Sequence, residues 1–306
     1  MELKSSHFKQ KLLNEEETIS LIWQVLSRKQ QSSGRTGSDP YGDDVAWLRN
    51  EGRKKLLVIK SDMFVSETDA PPQMTPKQMA SKALTSCVSD FAAKGVRPEF
   101  ALVSLALQKG LSTRALVSSL ALGFDETSRK YGVRIIGGDT NSTRSGLVID
   151  CTLGGFTDTL VLRRQAKPGD LVGVSGSFGI QSAGLRMLLS EAKSTSSFKI
   201  SAVQAVLGPK ARLKLGLSIS KYLTSCIDSS DGLAISLYHL AESSLVNLKL
   251  EEVPLARGVR KFAEMNSLDG EDLALFGGEE YELVFTFERK YERVLLRKGV
   301  LVIGSV

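Results

Sequence analysis

Apolar residues recur along the 306-residue chain with two different periods, and the alternation of the two predicts a mixed α/β protein. Asn14 precedes Glu15, Glu16 and Glu17, and Leu21, Ile22, Val25 and Leu26 follow at helical spacing. A capped amphipathic helix with acids in its first turn is expected there, ending near Lys29. Residues 31–39, QSSGRTGSD, are polar and rich in Gly and Ser, the composition of a flexible loop that delivers the chain to Gly42, Asp43 and Asp44. Strand-like runs follow at 45–48, 55–60, 99–107, 133–136 and 146–156, separated by helical patterns at 76–94 and 113–131. In the second half, runs at 171–175, 247–250, 281–287 and 300–303 alternate with helical patterns at 180–191, 210–223, 231–244 and 288–297. AKPGD, with Pro168 and Gly169, supplies turn chemistry between two apolar strands. The expected organisation is an N-terminal domain over 1–165 and a C-terminal α/β domain over 166–306, which suits a length well above about 150 residues per domain.

Composition narrows the function classes. A hydrophobic fraction of 42% and a charged fraction of 24% are ordinary for a globular protein. No apolar run approaches the roughly 20 residues of a membrane span, and MELKSSHFKQ has no apolar segment behind its charges, so the cytoplasm is the expected location. Cys87, Cys151 and Cys226 form no C-x-x-C pair, which argues against zinc and disulfides and for reduced core residues. The net charge of +6 is spread along the chain without a basic run interleaved with aromatics. That pattern argues against nucleic acid and suits attraction of small phosphorylated ligands. His7 and His239 make no triad, and His239 falls inside a predicted helix, where it reads as structural.

The candidate chemistry lies in acids placed where strands or helices should end: Asp43 with Asp44, Asp62, Asp90, Asp139, and Asp228 with Asp231. Ligands collect at the carboxyl ends of strands in open α/β sheets. Carboxylates gathered there repel one another unless cations lie between them, and oxygen ligands without His or Cys select magnesium. Each motif has a plainer reading. G-D-D and G-G-D are common turns, Asp228 and Asp231 of DSSDGL could cap the next helix, and Asp90 could pair with Lys94 on a surface one turn later. VSGSFGI, residues 174–180, invites a phosphate-loop reading, but G-x-x-x-x-G-K-[ST] is absent.

Taken in order, GDDVAWL, KSDMFV, KALTSCVSDFAAKGVRP, GGDT, LRRQAKPGD, DSSDGL and GGEEYELVF closely resemble the thiamine-monophosphate kinase family, within the aminoimidazole ribonucleotide synthetase-like superfamily. The match spans residues 42–287. The resemblance implies a two-domain α/β (α+β) fold whose N-terminal domains, with a mixed sheet and helices, bind ATP and metal and pair into a homodimer. It implies transfer of a phosphoryl group from ATP to thiamine monophosphate without an acid or base residue, supported by Asp44, Asp90 and Asp228. Asp44, Ser61, Asp62, Asp90, Asp139, Asp228 and Asp231 match its magnesium ligands, and Gly138, Asp139, Arg163 and Ser230 its ATP contacts. The acceptor positions fall at Asp69 and Glu279.

This chain departs from the pattern at three places. Lys60 stands where the family has Ser or Thr, and a protonated ammonium cannot ligate a cation. Asp69 and Ala70 replace a substrate-contacting His and the following Phe. A substrate-stacking aromatic near the C-terminus has no counterpart before Val306. Two alternatives follow: another ATP-dependent enzyme of the superfamily with a different acceptor, or an ATP-binding regulatory protein.

Overall fold

The structure, a computed structural model, describes residues 14, 17–22, 24, 43–49 and 55–306. The predicted cap at Asn14 forms reciprocally. Glu17 N–H donates to Asn14 Oδ1 at 2.8 Å and Asn14 N–H to Glu17 Oε2 at 3.0 Å, opening helical residues 17–22 and 24 (α1). The expected helix end near Lys29, the 31–39 loop and Gly42 lie outside the described residues.

Two sheets follow. The first holds β1 (Ala46–Arg49), β2 (Leu56–Val65), β3 (Phe100–Gln108), β4 (Arg134–Thr143) and β5 (Leu147–Thr157) in the order β1-β2-β5-β3-β4. All neighbours are antiparallel except β3 and β4. The second holds β6 (Asp170–Val174), β7 (Leu223–Asp228), β8 (Lys249–Leu250), β9 (Leu283–Glu288) and β10 (Leu301–Ser305), ordered β7-β9-β6-β10-β8 and antiparallel throughout. The expected turn at Pro168 and Gly169 leads into β6, with Gly169 at φ 92° and Asp170 Oδ2 accepting Lys167 N–H at 3.1 Å.

β2 and β4 outrun their predicted ends. β2 continues through Lys60, Ser61 and Asp62 because all ten of its residues pair with β5. β4 continues through Gly137, Gly138 and Asp139 because it pairs with β3 along its whole length. Gly138 is required by that pairing, since a Cβ there would stand 1.7 Å from the Val103 carbonyl oxygen. Asp62 and Asp139 therefore lie within strands and not at their ends.

The helices are α2 (Ser66–Asp69), α3 (Pro76–Ala93), α4 (Arg114–Tyr131), α5 (Ile180–Leu189), α6 (Ser196–Leu207), α7 (Leu213–Ile219), α8 (Leu233–Ser244), α9 (Val259–Met265), α10 (Gly270–Leu275) and α11 (Glu292–Leu296). α3 is the axle of the molecule. Thr75 and Gln78 cap it reciprocally with Pro76 at its first position. Ala80, Leu84, Cys87, Val88, Phe91 and Ala92 are fully buried on it, and one core joins them to Val58, Ile149 and Leu153 of the first sheet and Phe285 and Phe287 of the second. A helix whose apolar and small residues extend around most of its circumference is a buried helix.

The predicted helix over 210–223 divides into α7, a 3-10 turn at Ser220–Tyr222 and then β7. β7 escapes hydrophobic periodicity because half-buried Thr224 and buried Ser225 have hydroxyls that are satisfied by neighbours: Thr224 Oγ1 donates to Asp170 Oδ2 at 2.6 Å, and Ser225 Oγ lies 2.7 Å from Thr286 Oγ1. The three cysteines are free and buried, as expected. No helix among the described residues is long and apolar enough to cross a membrane.

Candidate functional site

Three of the predicted acids meet. Asp44 comes from the segment before β1, Asp90 from the last turn of α3, and Asp228 from the last position of β7. Each offers a carboxylate oxygen within 4.8 Å of the others, and all three residues are buried. Burial pushes Asp90 well above the usual carboxylate range, with Asp228 and Asp44 adding to the shift. Burial and then Asp44 raise Asp228 to about 6. Burial would raise Asp44 too, but the Lys94 and Arg163 charges outweigh it and hold that carboxyl well below its usual value.

Three cations surround the cluster. Lys60 Nζ lies 3.0 Å from Asp90 Oδ2, and the nearby carboxylates outweigh its burial and keep it protonated. Arg163 donates through Nε to Asp44 Oδ1 at 2.8 Å, and its backbone N–H donates to Asp43 Oδ2 at 3.0 Å. Lys94 is fully buried, 2.5 Å from Asp43 Oδ1 and 2.6 Å from Asp44 Oδ2, and donates to the Cys226 carbonyl at 2.8 Å. The surface pair between Asp90 and Lys94 is thus replaced by two separate buried pairings, Asp90 with Lys60 and Lys94 with the Asp43–Asp44 motif.

The capping reading of DSSDGL also gives way. α8 begins after Gly232, at φ 101°, with no side-chain cap, and Asp228 belongs to the sheet. Ser230 and Asp231 lie exposed just beyond. Their backbone runs beside GGEEYEL: Glu279 N–H donates to the Ser230 carbonyl at 2.6 Å and Tyr281 N–H to the Ser229 carbonyl at 3.1 Å. Glu279 and Tyr281 adopt φ of 64° and 52°, a left-handed backbone that costs a non-glycine residue on the order of 1–3 kcal/mol. Such strain persists where surroundings enforce it.

The other predicted ligands are not brought into the buried cluster. Strand alternation puts Lys60 and Asp62 on one face of β2 and Ser61 on the other, where Ser61 Oγ donates to Asp150 Oδ1 at 2.9 Å and lies 2.8 Å from Thr152 Oγ1. Asp139 and Gly138 are exposed on edge strand β4. The register Met63–Asp150–Ser104–Asp139 sets Asp139 three strand spacings from β2, about 14 Å.

The two expected acceptor residues meet at a lysine that the sequence did not single out. Lys82 Nζ, buried in α3, donates to the Asp69 carbonyl at 2.6 Å and lies 2.5 Å from Glu279 Oε1. The Asp69 carboxylate is spent locally, accepting Val65 N–H at 2.7 Å and the Thr68 hydroxyl at 2.9 Å. In the sequence both Lys82 and Lys94 belong to the motif KALTSCVSDFAAKGVRP, and each interrupts an otherwise small and apolar stretch. VSGSFGI is not an open anion loop: Glu280 Oε1 already accepts Gly179 N–H at 2.6 Å and Gln181 N–H at 3.2 Å, occupying the α5 N-terminus.

The donor set fits a hard divalent cation. It offers buried carboxylate oxygens from three separate elements, and the neighbouring Cys87 and Cys226 thiols, pushed up by burial, are not thiolate ligands.

Residues 42–157 match the family model of AIR synthase related protein, N-terminal domain. A thiamine-monophosphate kinase of Nitrosopumilus maritimus (strain SCM1) is 36% identical over 246 residues, which cover 80% of this chain and 78% of that protein. This chain belongs to the thiamine-monophosphate kinase family. The thiamine-monophosphate kinase of Pyrococcus horikoshii is likewise 36% identical, over 81% of this chain and 77% of its own. A solved structure of AaThiL complexed with AMPPCP and TMP superposes with a TM-score of 0.87 at 31% identity, covering 98% of this chain and 93% of that one. The fold extends to hydrogenase maturation protein HypE, at a TM-score of 0.67 and 20% identity. As a kinase of this family, the chain carries its two-sheet α/β architecture together with the buried carboxylate cluster.

Proposed function

We propose that the chain transfers the γ-phosphoryl group of ATP to the phosphate of thiamine monophosphate, yielding thiamine diphosphate and ADP in a magnesium-dependent reaction. The observation that supports this reading is the buried meeting of Asp44, Asp90 and Asp228, whose carboxylate oxygens lie within 4.8 Å of one another beside the Lys60 and Arg163 cations. An oxygen of the acceptor phosphate attacks the γ-phosphorus, the bond from that phosphorus to the bridging β-oxygen breaks, and its electron pair leaves with ADP. No covalent enzyme intermediate forms. The acceptor phosphate, with a second pKa of about 6, is largely deprotonated near neutrality, so no general base is required.

What this chain must supply is alignment of two anions. Magnesium held by Asp44, Asp90 and Asp228 would supply charge neutralisation for the phosphates. Arg163 and Lys60, partly exposed beside the cluster, face the polyphosphate as permanent cations, and Lys60 serves as a phosphate partner where a hydroxyl ligand would otherwise stand. Ser61, Asp62, Asp139 and Asp231 are assigned to further magnesium ions, and Gly138, Asp139, Arg163 and Ser230 to ATP. Glu279, held by Lys82, is assigned to the acceptor, with Asp69 contributing through the backbone that Lys82 grips.

A homodimer belongs to the same reading. The face of the first sheet away from α3, with its edge strand β4, carries exposed Met63, Leu102, Ile135 and Ile136. An unpaired strand edge with exposed apolar side chains is a surface for self-association. Sedimentation of the full chain at micromolar concentration with ATP is expected to give a dimer, and a monomer under those conditions removes the shared site.

Phosphorus NMR of the protein with magnesium, ATP and thiamine monophosphate tests the reaction. Growth of thiamine diphosphate resonances in step with ADP is the expected result. ATP bound but never consumed would instead favour the regulatory alternative.

A further inference from the structure

α6 begins without a side-chain cap at Thr195. The Ser196, Ser197 and Phe198 N–H groups have no acceptor among the described residues, the first helical bond being Lys199 N–H to the Thr195 carbonyl at 2.9 Å. This end opens on a cavity of about 840 Å³ bounded by the start of α5, one face of α6 and residues 256–258. Such a volume holds a small organic ligand. Ser197, Ser201, Gln204 and Gly208 line it at helical spacing, so a polar stripe runs about 16 Å along α6 from the open end. The backbone at Arg257 is pinned beside that end: Gly258, at φ 95°, packs so closely that a Cβ there would stand 2.6 Å from the Phe198 ring.

The charged residues of the lining are Lys210, Arg212, Arg257, Glu280 and Glu282. Both carboxylates are already committed. Glu282 accepts Arg212 Nε at 2.8 Å and the Ser175 hydroxyl. Glu280 accepts the Gly179 and Gln181 N–H groups at the start of α5, where burial pushes its carboxyl up to about 8. Lys210 and Arg257 have no partner among the described residues, so the cavity carries uncompensated positive charge. Gln181 is an independent sign of a missing ligand. It is only 6% exposed, its Nε2 donates to the Ala205 carbonyl of the same lining at 2.9 Å, and its Oε1 accepts nothing. A buried acceptor left without a donor is costly.

We propose that the cavity between α5 and α6 is a further ligand site that takes a sugar phosphate. This goes beyond the phosphoryl-transfer reading and does not depend on it. The phosphate, largely dianionic near neutrality, lies at the open N-terminus of α6 with the Arg257 guanidinium beside it, where free N–H groups and a planar cation both suit its oxygens. The hydroxyl-bearing body lies along Ser197, Ser201 and Gln204, and one hydroxyl donates to Gln181 Oε1, which a bare anion cannot do. Lys210, beyond the far end of α6, adds to the field that draws the anion in.

The test titrates the full chain by calorimetry with glucose 6-phosphate, glucose and inorganic phosphate, with a chelator present and no ATP, so that no probe binds through metal at the carboxylate cluster. Glucose 6-phosphate is expected to bind at least about tenfold more tightly than either fragment, because only it engages both the helix end and Gln181. Arg257→Ala removes one charge-assisted contact from an exposed residue and should weaken glucose 6-phosphate about tenfold. The melting temperature and the turnover of ATP with thiamine monophosphate should not change in that variant. Gln181→Met should weaken glucose 6-phosphate about fivefold and leave inorganic phosphate as it was. Should Gln181→Met fail to fold, Arg257→Ala still decides. The proposal is overturned if the unaltered protein does not bind glucose 6-phosphate, if inorganic phosphate binds as tightly, or if Arg257→Ala binds it undiminished. A parallel fall in turnover in Arg257→Ala also overturns it, since the cavity would then belong to the reaction site.

Discussion

Asp90→Asn lowers phosphoryl transfer by at least about a hundredfold, the scale on which removal of one element of transition-state charge stabilisation is felt. The same variant separates a cation site from a structural ion pair, because Asn keeps the size and loses the charge. In the metal-free protein Asp90 is a carboxylate that burial and its neighbours Asp228 and Asp44 push well above its usual pKa. Removing its charge therefore leaves the metal-free fold as stable as before or more so. The melting temperature should also rise less on adding magnesium and ATP, since a ligand stabilises in proportion to its affinity. Were Asp90 only the partner of Lys60, Asn would destabilise the metal-free protein, and turnover would stay near normal. Thermal melts with and without ligands, beside the phosphorus assay, distinguish these outcomes.

The pH dependence of the same cluster has a definite sign. Asp228 is raised from 3.8 to about 6 in the folded protein, so the fold prefers its protonated form. The stability this contributes is fully present below about 3.8 and is lost as pH rises through about 6. A cation must displace that proton, so magnesium affinity is expected to climb between about pH 5 and 7, which calorimetry over a pH series reads directly.

Lys94→Met is expected to cost about 3–5 kcal/mol of stability, the range for breaking a buried ion pair by removing one partner. Lys94 is fully buried and serves three acceptors at once: Asp43 Oδ1, Asp44 Oδ2 and the Cys226 carbonyl. Met matches its stem but strands Asp43 and Asp44 with Arg163 as their remaining cation. For chains of this general size each kcal/mol shifts the melting temperature by about 2–4 °C, so a fall of roughly 10 °C is expected. Adding Asp43→Asn to Lys94→Met should recover part of the loss, because the two residues share one interaction. A single variant that melts with the unaltered protein would show that the Asp43–Asp44 motif is held by Arg163 alone.

Much of this architecture is legible in the residues themselves. The β2–α3–β3–α4 succession follows from apolar periodicity, and the Asn14–Glu17 and Thr75–Gln78 caps follow from residues that satisfy helix-end donors within one turn. The ordered motifs named the family, and among the acids they contain are Asp44, Asp90 and Asp228, which the structure brings together, because motif order survives where any single turn or cap reading is ambiguous. Tertiary structure alone decided which acids meet. Asp228 reads as a helix cap until β7 pairs with β9 and takes it into the sheet, and Asp90 reads as a surface acid until α3 is enclosed between two sheets. The burial and the partners of Lys82 and Lys94 were hidden for the same reason: a lysine is costly to bury unless carboxylates from distant parts of the chain converge on it, and local periodicity contains no information about that convergence. Ser61 and Asp62, adjacent in sequence, were parted by the two-residue alternation of a strand that runs five residues beyond its predicted end at Lys60. Hydrophobic patterning reports what a residue's own element buries. Pairing between elements determines where a charged side chain finds its partners, and in this protein that pairing made the site.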